Sequence, residues 1–570
     1  MMKFTAEQET IFEFIKSGAG HGIIDAVAGA GKTTTIMECT RYVPSQSRTL
    51  FCAFNKSIAS EIKLKLSEKG CGAVTIKTIH ALGFQMLRDA FGPNMKIQEH
   101  KFRNLLRSDE LRQKFEPLYR EIFDKMVRKH LIKTYSVSDG REKQEAALRD
   151  TCYRIDEAVV ELVDKNRLTI PETREEFRHM VDYHGILEYF EGVKDEVLPL
   201  FEQIHDILLT KGNALSEEAQ IFDYSDMIYL PYIWALEPVS FYDFLFVDEC
   251  QDLSRAQLYV VMKYASEEAR VMAVGDPYQA IYGFAGADSE SFSRVQKTFS
   301  APKFPLTTCF RCPENVIQLA KGIRADISGK ENNPSGEVLR LKPSNVYEHL
   351  QSWDLVISRT KEQLVILIFM LLDKGRTLYV HPDDATALIS RFRQFFKPHE
   401  RNENLSRDAS KLERFWRSIS DRNHFKIRKE VERKKHLTVP ERQALIKERM
   451  EEVDAVLAFI QKRLHIWKQV QTVEQFFVEM AERMTSESPE AVKMSSIHRA
   501  KGLENNRVFI LNYDKLPHTW AGIQEWQIKQ EENLKYVALT RPKQSLFLVE
   551  SDNKEAGKKK GSLFDILPKL

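Results

Sequence analysis

Small residues broken by a single lysine, Ala26-Val27-Ala28-Gly29-Ala30-Gly31-Lys32-Thr33-Thr34, follow a short apolar run and constrain the fold of this 570-residue chain more than any other feature. Glycine and alanine leave backbone N–H groups free to wrap phosphate oxygens, Lys32 adds a point charge and Thr33 a hydroxyl. Some two hundred residues later a second apolar run ends in Phe246-Val247-Asp248-Glu249-Cys250-Gln251-Asp252, which delivers carboxylates to the polar end of a strand. Together the two segments read as halves of an ATP-hydrolysing site. Ala28, Gly29, Ala30, Gly31, Lys32, Thr33 and Thr34 would cradle the phosphates, Thr33 and Asp248 would hold Mg²⁺, and Glu249 would polarise the attacking water.

Such a cradle serves many ATP- and GTP-driven proteins, so length and composition matter next. A chain of 570 residues exceeds what one core holds and predicts three or four domains. With 84 Lys+Arg against 82 Asp+Glu, the net charge of +2 offers no global basicity, so any nucleic-acid surface must be local. Seven scattered cysteines predict free thiols in a reducing compartment, and Cys309-x-x-Cys312, lacking a second such pair, predicts ordinary buried cysteines. The N-terminus shows no signal-peptide pattern and the longest apolar stretch, 364–372, is too short for a bilayer. A soluble intracellular protein without a membrane partner is expected, cytoplasmic in a prokaryote or its viruses and nuclear in a eukaryote.

Strand-length apolar runs at 22–27, 49–54, 74–78, 241–247 and 271–275 suit a parallel sheet covered on both faces. A second set lies at 354–358, 493–497, 507–511 and 545–550. The fold class predicted is α/β, with two parallel-sheet lobes each interrupted by a mainly helical insertion. Residues 1–92 and 216–300 form the first lobe and 93–215 its insertion; 301–390 and 488–570 form the second lobe and 391–487 its insertion. Within the latter, residues 401–435 hold twelve Lys/Arg and six Asp/Glu, either a solvated helix face or a phosphate-contacting surface.

Further motifs narrow the chemistry. Gln8, in Phe4-Thr5-Ala6-Glu7-Gln8, lies upstream of the phosphate cradle, where an amide could read adenine. Gly275-Asp276-Pro277-Tyr278-Gln279 follows the acidic strand by one helix and one strand, and Gln279 has the place of a γ-phosphate sensor, with aromatics just beyond. Phe310-Arg311 opens the second lobe, and Arg541 stands near the chain end; arginines that reach a transferring phosphoryl group are worth ~10³–10⁵ in rate.

In this order, Ala28-Gly29-Ala30-Gly31-Lys32-Thr33, Val247-Asp248-Glu249-Cys250-Gln251-Asp252, Gly275-Asp276-Pro277-Tyr278-Gln279, Ser496-Ile497-His498-Arg499-Ala500-Lys501-Gly502-Leu503-Glu504 and Ala538-Leu539-Thr540-Arg541 resemble the signature motifs of superfamily 1A helicases of the UvrD/Rep/PcrA group. Ala53-Phe54-Asn55-Lys56-Ser57, Thr78-Ile79-His80-Ala81-Leu82 and Glu532-Asn533-Leu534-Lys535-Tyr536 resemble more closely the F-box DNA helicase branch. The resemblance implies two RecA-like motor lobes, with Gln8 on adenine, Phe310 stacked on it, and Glu504 near the ribose or phosphates. It implies a hydrolytic shell of Lys32, Thr33, Asp248, Glu249, Gln279, Arg311 and Arg541. Asn55, Lys56, Thr78, His80, Tyr282, Phe284 and His498 are implied in or near a single-strand groove, where base stacking contributes ~1–3 kcal/mol per base. For Tyr282 and Phe284 the competing reading is plain core packing. Gly283-Phe284-Ala285-Gly286-Ala287 lacks both cations of the Arg-x-aromatic-Arg-Gly-Ala pattern common in relatives, which weakens the expected link between γ-phosphate and stacking aromatic.

The implied activity is ATP-driven 3′→5′ movement on single-stranded DNA with unwinding of tailed duplexes, ATP and Mg²⁺ as cofactors, and room for a protein loading partner. The competing readings are an ATP-switched DNA clamp or recombination regulator that separates no strands, an RNA motor, and a helicase–nuclease. The 29 residues after Arg541 argue against the last.

Overall fold

The computed structural model describes residues 3–68, 74–132, 141–281, 290–406, 408–432, 439–466, 470–518 and 525–551. The chain divides into two compact units. The first comprises Met1–Phe310, Asp326–Ser328 and Ala521–Asn533; the second comprises Arg311–Ala325, Gly329–Trp520 and Leu534–Leu570.

In the first unit, helix α1 (Ala6–Ser17) is started by a capping box in which Thr5 and Gln8 satisfy each other's backbone N–H groups. Six strands follow in chain order: β1 (Gly22–Ala26), β2 (Thr49–Ala53), β3 (Val74–Thr78), β4 (Tyr242–Val247), β5 (Ala265–Gly275) and β6 (Lys303–Leu306). They form one sheet in the order β3-β2-β4-β5-β1-β6, parallel at every pairing. Apolar residues on both faces explain why: Leu50, Phe51, Ile23, Ile24, Leu245 and Phe246 are all buried, which only a sheet covered by helices on two sides achieves. Strand β6, Lys303-Phe304-Pro305-Leu306, was not among the expected strands of the first lobe. Its place at the sheet edge is where Pro305, with no N–H to donate, is tolerated. Strand β5 begins earlier than the apolar run at 271–275, since Ser266, Glu267 and Glu268 near its start are polar and at least partly exposed.

The segment predicted as a helical insertion folds as helices Lys101–Leu106, Asp109–Arg128, Arg141–Thr169, Arg174–His184 and Lys194–Ala219 around Phe115, Ile122, Leu162, Phe190 and Phe201. It is fastened to helix Asp226–Ile233 by a buried ionic cluster that sequence pattern did not reveal. Lys101 Nζ contacts the Asp226 carboxylate, Ser216 Oγ at 2.9 Å and Gly212 O at 3.2 Å. Arg167 Nη1 bonds Asp223 and Asp226, each at 2.8 Å, over the ring of Phe102. Lys101, Arg167 and Asp226 are fully buried. Burial pushes Lys101 down and Asp226 up from their ordinary pKa values, against their mutual attraction.

In the second unit β7 (Glu337–Leu341), β8 (Leu355–Ser358), β9 (Leu378–Val380), β10 (Val492–Ser496), β11 (Asn505–Leu511) and β12 (Pro542–Val549) form a parallel sheet in the order β7-β12-β11-β8-β10-β9. Strands β7 and β9 were not anticipated; both flank the sheet. The apolar stretch 364–372 lies in helix Lys361–Asp373, where Phe369 stacks on Phe459 at 4.0 Å. Phe459 comes from helix Val439–Ile466, so the segment predicted as the second insertion shares its core with the sheet. Among the described residues, no helix is long and apolar enough to cross a membrane, and the cysteines are free thiols.

Asp226→Ala removes the ion-pair partner of buried Lys101 and one of the carboxylates that hold buried Arg167. It is expected to lower the stability of the first unit by about 3–5 kcal/mol, read by chemical denaturation, whereas replacing Lys101, Arg167, Asp223 and Asp226 together by apolar residues recovers most of that loss.

Candidate functional site

In the first unit the phosphate cradle leaves the C-terminal end of β1, Asp248-Glu249 that of β4, and Asp276–Gln279 that of β5, which are neighbouring strands in the order β4-β5-β1. Open parallel sheets bind ligands at this edge. Gly29 and Gly31 sit at φ 71° and 77°, in the left-handed region, while Ala28 and Ala30 are buried beneath the loop. Gly31 opens helix α2 (Lys32–Cys39) without a side-chain cap, so its first N–H groups keep their capacity for an anion. Lys32, Thr33 and Thr34 form the first turn.

Lys32 Nζ lies 2.8 Å from Glu249 Oε1. Burial opposes its charge, but Glu249, Asp276 and Asp248 outweigh that and hold its pKa above the ordinary lysine value. Glu249 has φ 51°, a strained setting for a side-chain-bearing residue, and its N–H donates to Asp248 Oδ1 at 3.0 Å. Gln251 donates Nε2 to the Glu249 carboxylate and accepts the Asp276 N–H at 3.0 Å. Asp276 in turn accepts from Gln279 Nε2 at 2.6 Å. An unbroken chain of contacts therefore runs from Lys32 to Gln279. Gln251 and Asp276 were not among the expected site residues; the only sequence signal for them was membership in the same short motifs.

Gln8, 5% exposed, uses its amide carbonyl in the α1 capping box and its NH₂ on Thr35 Oγ1 at 2.9 Å, so it braces the helix that follows the cradle. The Phe310 N–H donates to Gly29 O at 2.9 Å while its ring stays 43% exposed, which hangs an open aromatic face on the phosphate loop. Glu7 supports that segment by accepting from Thr307 N and Oγ1 at 2.9 and 2.7 Å.

Farther along the same sheet edge, Asn55 and Lys56 follow β2, and Thr78 and His80 end and follow β3. Asn55 and Lys56 are exposed. Asn55 Oδ1 accepts the Ile58 N–H at 2.9 Å and Thr78 Oγ1 the Ala81 N–H at 3.2 Å, so both start helices. Burial lowers the pKa of His80. Tyr282, Phe284 and the altered 283–287 stretch lie outside the described residues.

In the second unit Glu504 precedes β11 and Arg541 precedes β12, the N-terminal ends of adjacent strands. Arg311 Nε pairs with Glu504 at 2.8 Å and its Nη1 bonds Thr540 O at 3.2 Å; Lys543 takes the other Glu504 oxygen. Burial raises the Glu504 pKa, but Lys543 and Arg311 overcome it and hold the carboxyl below its ordinary range. Arg541, 1% exposed, is held by Val537 O at 2.7 Å, Leu503 O at 3.1 Å and Thr540 Oγ1 at 3.1 Å. His498 follows β10, at the opposite edge of this sheet. Burial, with Arg359 nearby, lowers its pKa to about 4.

Residues 5–300 match the family model of the UvrD/REP helicase N-terminal domain. Over 96% of its length the chain is 23% identical to F-box DNA helicase protein 1 of Schizosaccharomyces pombe, and over 56% it is 24% identical to a probable DNA helicase II homolog of Mycoplasma pneumoniae. The matches span 58% and 42% of those relatives, so the chain aligns with only part of each. It is also 21% identical to the ATP-dependent DNA helicase PcrA of Bacillus subtilis, covering 95% of this chain and 82% of that one.

The His498 site gives a pH signature. The unfolded chain takes up a proton near pH 6.5 that the folded site refuses until about pH 4, so the second unit loses stability as pH falls through that window. The loss approaches ~3 kcal/mol at ~1.4 kcal/mol per pH unit, and His498→Gln is expected to flatten this limb of the melting-temperature profile.

Proposed function

The chain belongs to the UvrD/REP helicase family, and from that premise we propose that it is an ATP-driven motor that moves 3′→5′ along single-stranded DNA and separates duplexes carrying a 3′ tail. The observation that carries this reading is the contact chain from Lys32 through Glu249, Gln251 and Asp276 to Gln279, which links the phosphate cradle to the turn just before the expected stacking residues. Directional polarity draws only on family likeness.

Backbone N–H groups of residues 28–34 and Lys32 grip the β- and γ-phosphates, and the exposed Phe310 ring offers a face to adenine. Gln8 acts by bracing, through Thr35, the helix that follows the loop. Glu249 orients and deprotonates the attacking water. Arg311, Arg541 and Gln279 stabilise the charge that develops on the transferred phosphoryl group, and Glu504 sets the position of Arg311. In the second role set, Asn55, Lys56, Thr78, His80, Tyr282, Phe284 and His498 contact the strand.

The residues present fit Mg²⁺. Glu249, Asp248 and Asp276 surround a single lysine, so the pocket is formally anionic and a bare polyphosphate would be repelled. Among the described residues no group of three or more His, Cys, Asp or Glu holds a metal by itself. Asp248 and Thr33 would supply two oxygens, the number typical of Mg²⁺ sites completed by substrate phosphates and water. When bound, the ion neutralises charge on the β- and γ-phosphate oxygens.

A second reading, an ATP-switched clamp that separates no strands, is favoured by one observation: residues 283–287 carry neither of the cations usual beside the stacking aromatic. Strand displacement separates the two.

Single-stranded DNA is expected to stimulate hydrolysis, and Lys32→Ala and Glu249→Gln each to lower it by ~10² or more, Glu249→Gln without loss of nucleotide binding. Duplexes with a 3′ tail are expected to be unwound, 5′-tailed ones not, with activity falling as salt rises. Near wild-type hydrolysis by either variant overturns the assignment. DNA-stimulated hydrolysis without displacement selects the clamp.

A further inference from the structure

The turn from Asp276 to Ile281 is gripped from two sides by side-chain amides. Gln251 is fully buried and reaches in both directions, its Nε2 to the Glu249 carboxylate and its Oε1 to the Asp276 N–H. Its place is closely fitted: a Cβ added to Gly275 would stand 2.4 Å from that Oε1. From the other side Asn533, 3% exposed, donates Nδ2 to the carbonyls of Ala280 at 2.9 Å and Pro277 at 3.3 Å. Gln530 Nε2 takes the Ile281 carbonyl at 3.0 Å, and Lys529 covers the Tyr278 ring at 5.0 Å. All of these residues belong to the first unit.

Hydrogen-bond need alone does not account for this clasp. Among the described residues the buried Asn533 Oδ1 meets no hydrogen-bond donor, so the side chain is held by what its two N–H donors give the turn. The clasped turn carries Gln279 at its centre, and residue 281 leads directly into the 282–289 stretch. Glu249 and the Asp276 N–H are thus joined through the two ends of a single side-chain amide.

We infer that Gln251 and Asn533 are positioning residues that couple ATP hydrolysis to polynucleotide binding by clamping the Asp276–Ile281 turn between them. This rests on the motor reading above. Gln251 ties the turn to the carboxylate beside the reacting phosphate, and Asn533 ties the carbonyls on its far side to helix Glu525–Leu539. Neither side chain is needed to touch nucleotide or DNA; each sets how strongly one ligand feels the other.

The test uses the full-length protein as wild type, Gln251→Leu, Asn533→Ala and Asn533→Ser. Hydrolysis is measured with and without a thymidine oligonucleotide, and nucleotide affinity with a fluorescent ATP analogue. Stimulation by the oligonucleotide is expected to fall about tenfold in Gln251→Leu and Asn533→Ala, inside the roughly 5–150-fold span of ordinary coupling energies. Nucleotide affinity is expected to hold in all variants, and Asn533→Ser, which keeps one donor, to recover part of the stimulation. Should Gln251→Leu fail to fold, the two Asn533 variants decide alone. Wild-type stimulation in Asn533→Ala, or a loss that only tracks weakened nucleotide binding, overturns the inference while leaving the motor reading intact. Wild-type hydrolysis indifferent to the oligonucleotide overturns both.

Discussion

Parallel strand direction is the constraint from which the rest follows. When every pairing in a sheet is parallel, all chain segments leave it at one edge, and each strand hands over to a loop and a helix N-terminus there. In the first unit that edge collects the phosphate cradle after β1, the carboxylates after β4 and the Gln279 turn after β5, with Asn55 and Thr78 farther along. Residues more than two hundred positions apart thereby come within 3 Å, as Lys32 and Glu249 do. The second unit uses both edges of its sheet: Glu504 and Arg541 at strand entrances, His498 at a strand exit.

Two lysines in the first unit, Lys101 fully buried and Lys32 with its side chain 12% exposed, show how the same cost yields opposite outcomes. For Lys101 burial outweighs the attraction of Asp226 and Asp223, with Arg167 adding a smaller repulsion, and its cluster serves to fix helices Lys101–Leu106 and Arg141–Thr169 to Asp226–Ile233. Lys32 gains from its surroundings, because three carboxylates face one cation, and it stays charged. A buried cation outnumbered by carboxylates is suited to receive phosphates that bring a metal ion with them. The strained φ of Glu249 belongs to this second setting.

In the second unit the cations are already occupied. Arg311 shares Glu504 with Lys543, and Arg541 is wrapped by the carbonyls of Val537 and Leu503. Engagement of Arg311 with any phosphate therefore competes with an existing ion pair, which gives Glu504 a say in when that arginine acts.

The sequence by itself determined the elements that short-range chemistry controls. Apolar runs of strand length, glycines where φ must be positive, and a lysine and two carboxylates at polar strand ends were legible because each depends on neighbours within a few residues. Three edge strands escaped it: β6 carries a proline, β7 is exposed or half-buried over most of its length, and β9 has only three residues, so none shows the buried pattern of a central strand. Only the tertiary structure decided which polar groups meet. That Gln8 spends its amide on Thr35, that Gln251 joins Glu249 to Asp276, that Asn533 holds the carbonyls of Pro277 and Ala280, and that Lys101 lies against Asp226 all depend on partners 25 to 256 positions away. A hydrogen bond needs its two atoms within about 3 Å, and no local pattern carries that distance until the strands have been placed side by side.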